Sequence, residues 1–281
     1  MESIDAQIER IISLDPGGRG VGSLLVAGDL AAAADELMRA RRVWILTGFV
    51  IPALKTGETD GPPGAISLAS GLLRLGIPTT IVTDPLNGVI MDRAGLSEVE
   101  FPLPELWRKE RPTHVVAIER PGRAMDGRFH TMDGKVISQE DEVACLFDRA
   151  SAEEGIVTIG IGDGGNEIGM GKVFERVVRS IPHGERIASV VSADRLIVAG
   201  TSNWGGWGLL ASLSIRARND LLPTDEVARD DVTRFVAAGG VDGRTGRSEG
   251  SVDGLGMDEY LAVLRELRML INDSRATESM D

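Results

Sequence analysis

The sequence predicts a three-layer α/β fold, a mainly parallel sheet with helices on both faces, and three observations carry that prediction. Short apolar runs recur, each closing on a glycine or a polar turn. Segments of helical periodicity separate them, the alternation of strand and helix from which a parallel sheet is built. The core supply also fits: 42% of residues are hydrophobic but only 4% are aromatic, so the interior must come from Ala, Val, Ile and Leu, the side chains of close helix-on-sheet packing. With 281 residues and neither an internal repeat nor a low-complexity linker, residues 1–281 are expected to form a single domain.

Taken in order, Ile4, Ile8, Ile11 and Ile12 recur at helical spacing, and a second helix is expected over 23–42 around Leu24, Leu30 and Leu37. The first strand is 43–48, a buried run ending in Gly48 and opening into a loop, 49–62. Runs at 79–84, 114–119 and 156–160 repeat the pattern. Between them the periodicity predicts helices over 64–75, 85–94 and 139–154, the last with Ser138 as N-cap. A helix over 167–180, further strands at 187–191 and 195–199, and helices at 204–219, 224–238 and 257–272 complete the reading, with the glycine-rich 239–256 left non-helical.

Thirty basic against forty-three acidic residues give a net charge of −13, which repels polyanions, so no nucleic-acid partner is expected. The single cysteine, Cys145, reads as a small buried thiol and can form no intrachain disulfide. The opening Met1-Glu2-Ser3-Ile4-Asp5 has neither the basic and apolar blocks of a secretory signal nor the arginines of a transit peptide. No stretch approaches the roughly twenty apolar residues of a membrane helix. A soluble, cytoplasmic protein with no membrane partner is the expectation, and assembly as a homo-oligomer stays open.

In an open parallel sheet, ligands bind beyond the carboxyl ends of the strands, so the residues after each run are where chemistry is sought. After the first stands Thr56-Gly57-Glu58-Thr59-Asp60-Gly61-Pro62-Pro63-Gly64-Ala65, two acids and then a turn that suits a helix start. Amides at Gly61, Gly64 and Ala65 would attract an anion; Glu58 and Asp60 would hold a cation or an amine. At fourteen residues, 49–62 exceeds an ordinary strand-to-helix connection. After the third run, Glu119 is followed by Arg120, Arg123 and Arg128, an anion-binding composition or else a surface loop of mutually paired charges.

The fourth run leads into 160–172, where six of thirteen residues are glycine, a density that implies sharp turns or close backbone approach to a ligand. Its spacing matches neither the dinucleotide fingerprint nor a P-loop, so no nicotinamide or flavin is expected. Asp163, Asn166 and Glu167 favour a metal or an amine, with Gly164 and Gly165 lining the approach. Downstream, Thr201, Ser202 and Asn203 precede a helix, where Asn203 reads as an N-cap or as a ligand group.

These segments, with Val241-Asp242-Gly243 and Ser251-Val252-Asp253-Gly254-Leu255, resemble the C-terminal domain of D-glutamate cyclase, over nearly the whole chain. The stretch 119–133 departs from the family's pattern. The resemblance implies a carbon–oxygen lyase that joins the amine of D-glutamate to its own side-chain carboxylate, giving 5-oxo-D-proline and water; the substrate is then a small acidic amino acid. For that chemistry Asp163 or Glu167 is the expected base and Glu58 a third catalytic acid. Asp60, Gly61, Gly64, Ala65, Glu119 and Arg123 are expected to bind substrate, with Gly164, Gly165, Asn166, Ser202 and Asn203. Glu58, Asp60 and Asp163 are the candidate metal ligands, and oxygen donors suit Mg²⁺ or Mn²⁺ rather than zinc, since His114, His130 and His183 are scattered. Two alternatives stay open: a module that binds an amino acid or nucleotide without turning it over, and a metal-dependent phosphoryl transferase using Asp84, Asp163 and Lys172.

Overall fold

The computed structural model describes residues 2–96, 99–102 and 104–278. Five parallel strands form its sheet: β1 (Val43–Thr47), β2 (Thr79–Thr83), β3 (His114–Ile118), β4 (Val157–Gly162) and β5 (Arg195–Val198), in the order β2-β1-β3-β4-β5. The chain first steps outward from β1 to β2, then crosses back to β3 and continues the other way. The order therefore reverses between β1 and β3, and the loops leaving those two strands diverge to open a crevice.

Side-chain alternation along each strand feeds two layers of helices. Val43 and Ile45 of β1 pack into the larger core, while Trp44 and Leu46 enter the smaller one on the opposite face. The larger core is closed by α1 (Ile4–Ile12), α2 (Asp29–Leu37), α3 (Pro62–Arg74) and α4 (Pro85–Ala94), then by α9 (Ser202–Ala217), α10 (Asp225–Ala237) and α11 (Met257–Glu278). The opposite face carries α5 (Pro104–Lys109) and α6 (Glu142–Ala152). A third cluster under β5 joins Leu196 and Val198 to α7 (Phe174–Ser180) and α8 (Gly184–Ile187).

The helix starts follow local chemistry. Ser3 Oγ accepts from the Ala6 amide at 3.2 Å, Asp84 caps α4 ahead of Pro85, and Pro62 and Pro63 occupy the first turn of α3, where a missing N–H loses nothing. Helix α9 matters most for function. Thr201 caps it, Trp204 Nε1 donates to the Tyr260 carbonyl of α11 at 3.1 Å, and Trp207 packs on the Tyr260 ring with centroids 4.7 Å apart. These contacts hold the amino end of α9 under the sheet's carboxyl edge.

Several boundaries differ from the sequence expectation. The segment 23–42 begins in the last two residues of a 3-10 turn, Val21–Leu24, and then holds only nine helical residues, those of α2. Asp141, not Ser138, caps α6, because Val136–Ser138 is paired with Phe129–His130 in a small hairpin. Residues 167–170 are not helical: Glu167 and Ile168 thread past β4, and a 3-10 turn, Gly171–Val173, leads into α7. The run at 187–191 ends α8 and then makes isolated bridges rather than a strand. The 49–62 loop folds as a short hairpin, Val50–Ile51 against Thr56–Gly57. Cys145 is exposed on α6, not buried, since that helix turns Ala144, Leu146 and Phe147 to the sheet instead.

Candidate functional site

Carboxylates from four separate loops meet beyond the carboxyl ends of the strands. Glu58 and Asp60 arrive on the return arm of the hairpin after β1, which is pinned where the Thr59 amide donates to the Val241 carbonyl at 2.8 Å and Thr59 Oγ1 to the Ser251 carbonyl at 2.8 Å. Glu119 is the first residue after β3 and Asp163 the first after β4. Asp253 comes from the hairpin Ser251–Val252/Leu255–Gly256 that crosses above them. Glu119 and Asp253 hold left-handed backbones, φ +45° and +53°, a strained geometry for residues with side chains and one that clusters at functional sites.

Two helix ends lock together behind this cluster. The Asp60 carboxylate accepts from the Ser202 amide at 2.7 Å and the Asn203 amide at 2.8 Å, so it sits on the positive end of α9. In return Asn203 Oδ1 accepts from the Gly61 amide at 2.9 Å and the Gly64 amide at 2.7 Å, at the start of α3, while its Nδ2 donates to the Thr59 carbonyl at 3.0 Å. Close approach demands glycine here: a Cβ on Gly64 would lie 2.7 Å from Asn203 Cα. The amides expected to face an anion are therefore satisfied inside the protein; the Ala65 amide, too, donates to the Gly61 carbonyl at 2.8 Å. Asn203 is the brace between the two helices and not the N-cap.

A cavity of about 400 Å³ opens above, with Glu58, Glu119, Asp163 and Asn166 among its walls. Oxygens of Asp60, Glu119 and Asp163 lie within 4.8 Å of one another, all three buried. Ser202 Oγ donates to Glu119 Oε2 at 2.5 Å. Among the described residues the Glu58 carboxylate has no hydrogen-bond donor; it lies against Gly243, where a Cβ would sit 1.6 Å from Oε2. One guanidinium answers the cluster: Arg19 Nη2 donates to Asp163 Oδ2 at 2.7 Å, to Asp253 Oδ2 at 2.8 Å and to the Gly200 carbonyl at 2.8 Å.

On the buried floor one cation stands against five acids, and burial makes the excess negative charge expensive. Loss of hydration, then Asp253, pushes Asp60 up to about 7 despite the two helix amides. Burial likewise drives Glu58 well above the ordinary carboxylate range, reinforced by Asp253 and Asp60, and Glu119, reinforced by Glu167 and Asp60. Asp163 is raised by burial although Arg19 opposes the shift. Burial works against the Arg19 charge, but Asp163 and Asp253 hold its pKa above the usual arginine value. Near neutral pH such a cluster retains protons or takes up a cation.

Other expected site residues have different work. Glu167 accepts from the Gly164 amide at 2.6 Å and the Gly165 amide at 2.7 Å, tying the glycine loop with both oxygens. Asn166 Nδ2 donates to the His130 carbonyl at 2.8 Å, leaving its buried Oδ1 without a partner. The arginines after β3 turn away from the cavity. Arg120 is buried between Asp84, at 2.6 Å, and Asp141, and Arg123 pairs with Asp148 at 2.9 Å, because the left-handed turn at Glu119 sends the following side chains to the other side of the loop. The trio Asp84, Asp163 and Lys172 is not assembled: Asp84 caps α4 and pairs with Arg120, whereas Lys172 pairs with Asp29 at 2.6 Å. Arg19 and Asp253 went unread as site residues. Asp15-Pro16-Gly17-Gly18-Arg19-Gly20, a lone basic residue in a glycine turn, was the available signal.

The profile of the D-glutamate cyclase-like C-terminal family matches residues 8–268. The chain belongs to that family. A curated member, the human mitochondrial D-glutamate cyclase, is 38% identical over an alignment of 236 residues, and the match covers 74% of this chain and 38% of that protein. The chain thus spans well under half the length of that relative. Among solved structures, an exopolyphosphatase-related protein from Bacteroides fragilis covers 87% of this chain, and is covered over 57% of its own length, at 8% identity and a TM-score of 0.47, too loose a likeness to bear on function. Within the family frame, both loops singled out from the sequence reach the crevice, the first through Glu58 and Asp60 and the second through Asp163. No helix among the described residues is long and apolar enough to cross a membrane.

Proposed function

We propose that the chain is a D-glutamate cyclase-type lyase, closing D-glutamate to 5-oxo-D-proline. One observation carries the reading: Glu58, Glu119 and Asp163, all buried and all with raised pKa, converge on one cavity of a size for an amino acid. In the reaction the substrate nitrogen forms a bond to its side-chain carboxyl carbon and a C–O bond breaks. The ammonium gives up two protons, and both leave on the departing oxygen as water. The site must therefore accept a proton from nitrogen and deliver one to oxygen.

Asp163 suits the first task, since its raised pKa makes it a stronger base and Arg19 stabilises its ionised form. Glu119 and Glu58 suit the second, because carboxyls that keep their protons near neutrality both donate to a substrate carboxylate and avoid repelling it. Asp60 stands behind them, held by the α9 amides, and positions Glu119 through Ser202. The oxygen set of Asp60, Glu119 and Asp163 also fits a hard divalent cation such as Mg²⁺ or Mn²⁺, which when bound would neutralise the cluster and polarise a carboxyl oxygen.

Incubating the purified chain with D-glutamate, with and without Mg²⁺ or Mn²⁺, and following 5-oxoproline by mass spectrometry tests this. Product that disappears in Asp163→Asn is expected. Absence of product, together with saturable ligand binding that survives Asp163→Asn, would instead establish a non-catalytic binding module.

A further inference from the structure

Arg244, exposed on the loop above, lines the same cavity and makes no ion pair within the described residues. Among the described residues no carboxylate lies within ion-pair distance of its guanidinium, in a chain with thirteen more acidic than basic residues. The backbone beneath it is fixed: Asp242 Oδ1 accepts from the Arg244 amide at 2.9 Å and the Thr245 amide at 2.8 Å, and Asp242 Oδ2 from Ser251 Oγ and the Gly254 amide, both at 2.7 Å. Two glycines make room for the side chain. A Cβ on Gly254 would come within 3.3 Å of Arg244 Cδ, and one on Gly17 would sit 3.2 Å from Arg244 Nη1 and 3.4 Å from Arg19 Nε. Two guanidiniums thus approach one point that carries no side chain. Arg19 Nε–H, moreover, is buried and has no acceptor.

We infer that Arg244, with Arg19 beside it, forms a carboxylate subsite at the cavity mouth that grips the non-reacting carboxylate of an acidic amino-acid substrate. The inference rests on the reaction proposed above for the identity of that substrate. Lactam closure consumes the side-chain carboxyl and leaves the α-carboxylate untouched, so the substrate carries one carboxylate to the acids of the floor and needs a place for the other. The floor cannot supply it: its one cation, Arg19, already bridges Asp163 and Asp253. A guanidinium fork without a partner matches a carboxylate in charge and shape. Because that carboxylate persists unchanged through the reaction, the contact contributes equally to substrate, transition state and product, and its removal is read in KM and not in kcat.

The test uses the full chain with Arg244→Met and Arg244→Lys, checked for wild-type circular dichroism and melting temperature. Calorimetric titration with 5-oxo-D-proline, D-glutamate and 4-aminobutanoate, the last having the amine and the reacting carboxylate but no second one, measures the subsite apart from turnover. Arg244→Met is expected to weaken 5-oxoproline and D-glutamate by about 10- to 100-fold, as truncating a hydrogen bond to a charged group does, to leave 4-aminobutanoate unaffected and to change kcat by no more than a few-fold. Arg244→Lys should recover part of the loss. Unchanged 5-oxoproline affinity in Arg244→Met overturns the subsite, as does failure of both carboxylates to bind the wild-type protein. Binding that depends on Arg244 in a protein that makes no product upholds the subsite and refutes the cyclase reading; turnover whose KM ignores Arg244 does the reverse.

Discussion

Asn203→Ala is the substitution whose consequence the structure specifies most fully. The side chain accepts from two buried amides, Gly61 at 2.9 Å and Gly64 at 2.7 Å, and donates to the Thr59 carbonyl at 3.0 Å. Its truncation leaves the Gly64 N–H and the Thr59 C=O unsatisfied, and the Gly61 N–H with only its longer bond to Asp60 Oδ1 at 3.1 Å, where Asn203 is wholly buried. At about 1–3 kcal/mol for each of the two orphaned groups, with the weakened Gly61 bond added and water entering the space left behind set against it, the loss comes to about 3–5 kcal/mol. For a chain of this order of size that lowers the melting temperature by roughly 6–20 °C. Urea unfolding should show the midpoint falling with the m-value unchanged, the mark of a lost native interaction and not of an altered denatured state. The backbone amide that holds Asp60 survives the substitution, but the brace that fixes its position does not, so turnover should fall as well. A stability within about 0.5 kcal/mol of wild type, in the range of ordinary surface substitutions, would refute the brace between α3 and α9.

Glu167→Gln keeps the volume but replaces one of the two oxygens that accept from loop amides with an NH₂ donor, so the Gly164 and Gly165 amides should exchange hydrogen faster, with stability down by about 1–3 kcal/mol; wild-type protection at those two amides would contradict the tie. Gly160→Ala would set a Cβ 2.7 Å from both Gly169 Cα and the Ile168 carbonyl, backbone against backbone, and should cost at least about 1–3 kcal/mol in thermal unfolding. Asp231, in α10, is raised by burial and then by Asp230 to about 6; a carboxyl whose folded pKa is raised contributes stability below its unfolded pKa and loses it as pH climbs through 4 to 6. Asp231→Asn should therefore stabilise the protein at pH 8, by on the order of 2 kcal/mol, and give no such gain near pH 3.5, which paired melts at the two pH values would check. Mn²⁺ should raise the melting temperature more at pH 8 than at pH 5, since with Asp60 at about 7 acid keeps protons where the metal would bind; equal shifts at both pH values would speak against a carboxylate site.

The five strands of the sheet were legible because a buried parallel strand is a local signal: 43–48, 79–84, 114–119, 156–160 and 195–199 are apolar runs ended by polar or glycine turns, and each corresponds to one of β1 to β5. The run at 187–191 looked the same and is not a strand, since apolar character does not specify pairing: Ile187 and Ala188 close α8 and pack under β5, whereas Val190 is exposed. Composition and the two acid- and glycine-rich loops likewise pointed to where chemistry would lie. They did not divide its labour. Glu167 and Asp163 are four residues apart with the same charge, yet one ties loop amides and the other faces the cavity, because only the path of the folded loop decides which oxygens meet an N–H.

By itself the sequence determined the layer architecture, the strand positions and the acidic, oxygen-rich character of the site, all of which depend on neighbours within a few residues. Tertiary structure alone decided that the strand order reverses between β1 and β3, that Arg19, from the first twenty residues, meets Asp253, from the last thirty, over Asp163, and that Asn203 takes the amides of α3. The physical reason is range. Periodicity and turn chemistry act along the chain, whereas the Coulomb and desolvation energies that make Glu58, Asp60, Glu119 and Asp163 unusual acids arise only once segments up to two hundred residues apart share one buried space.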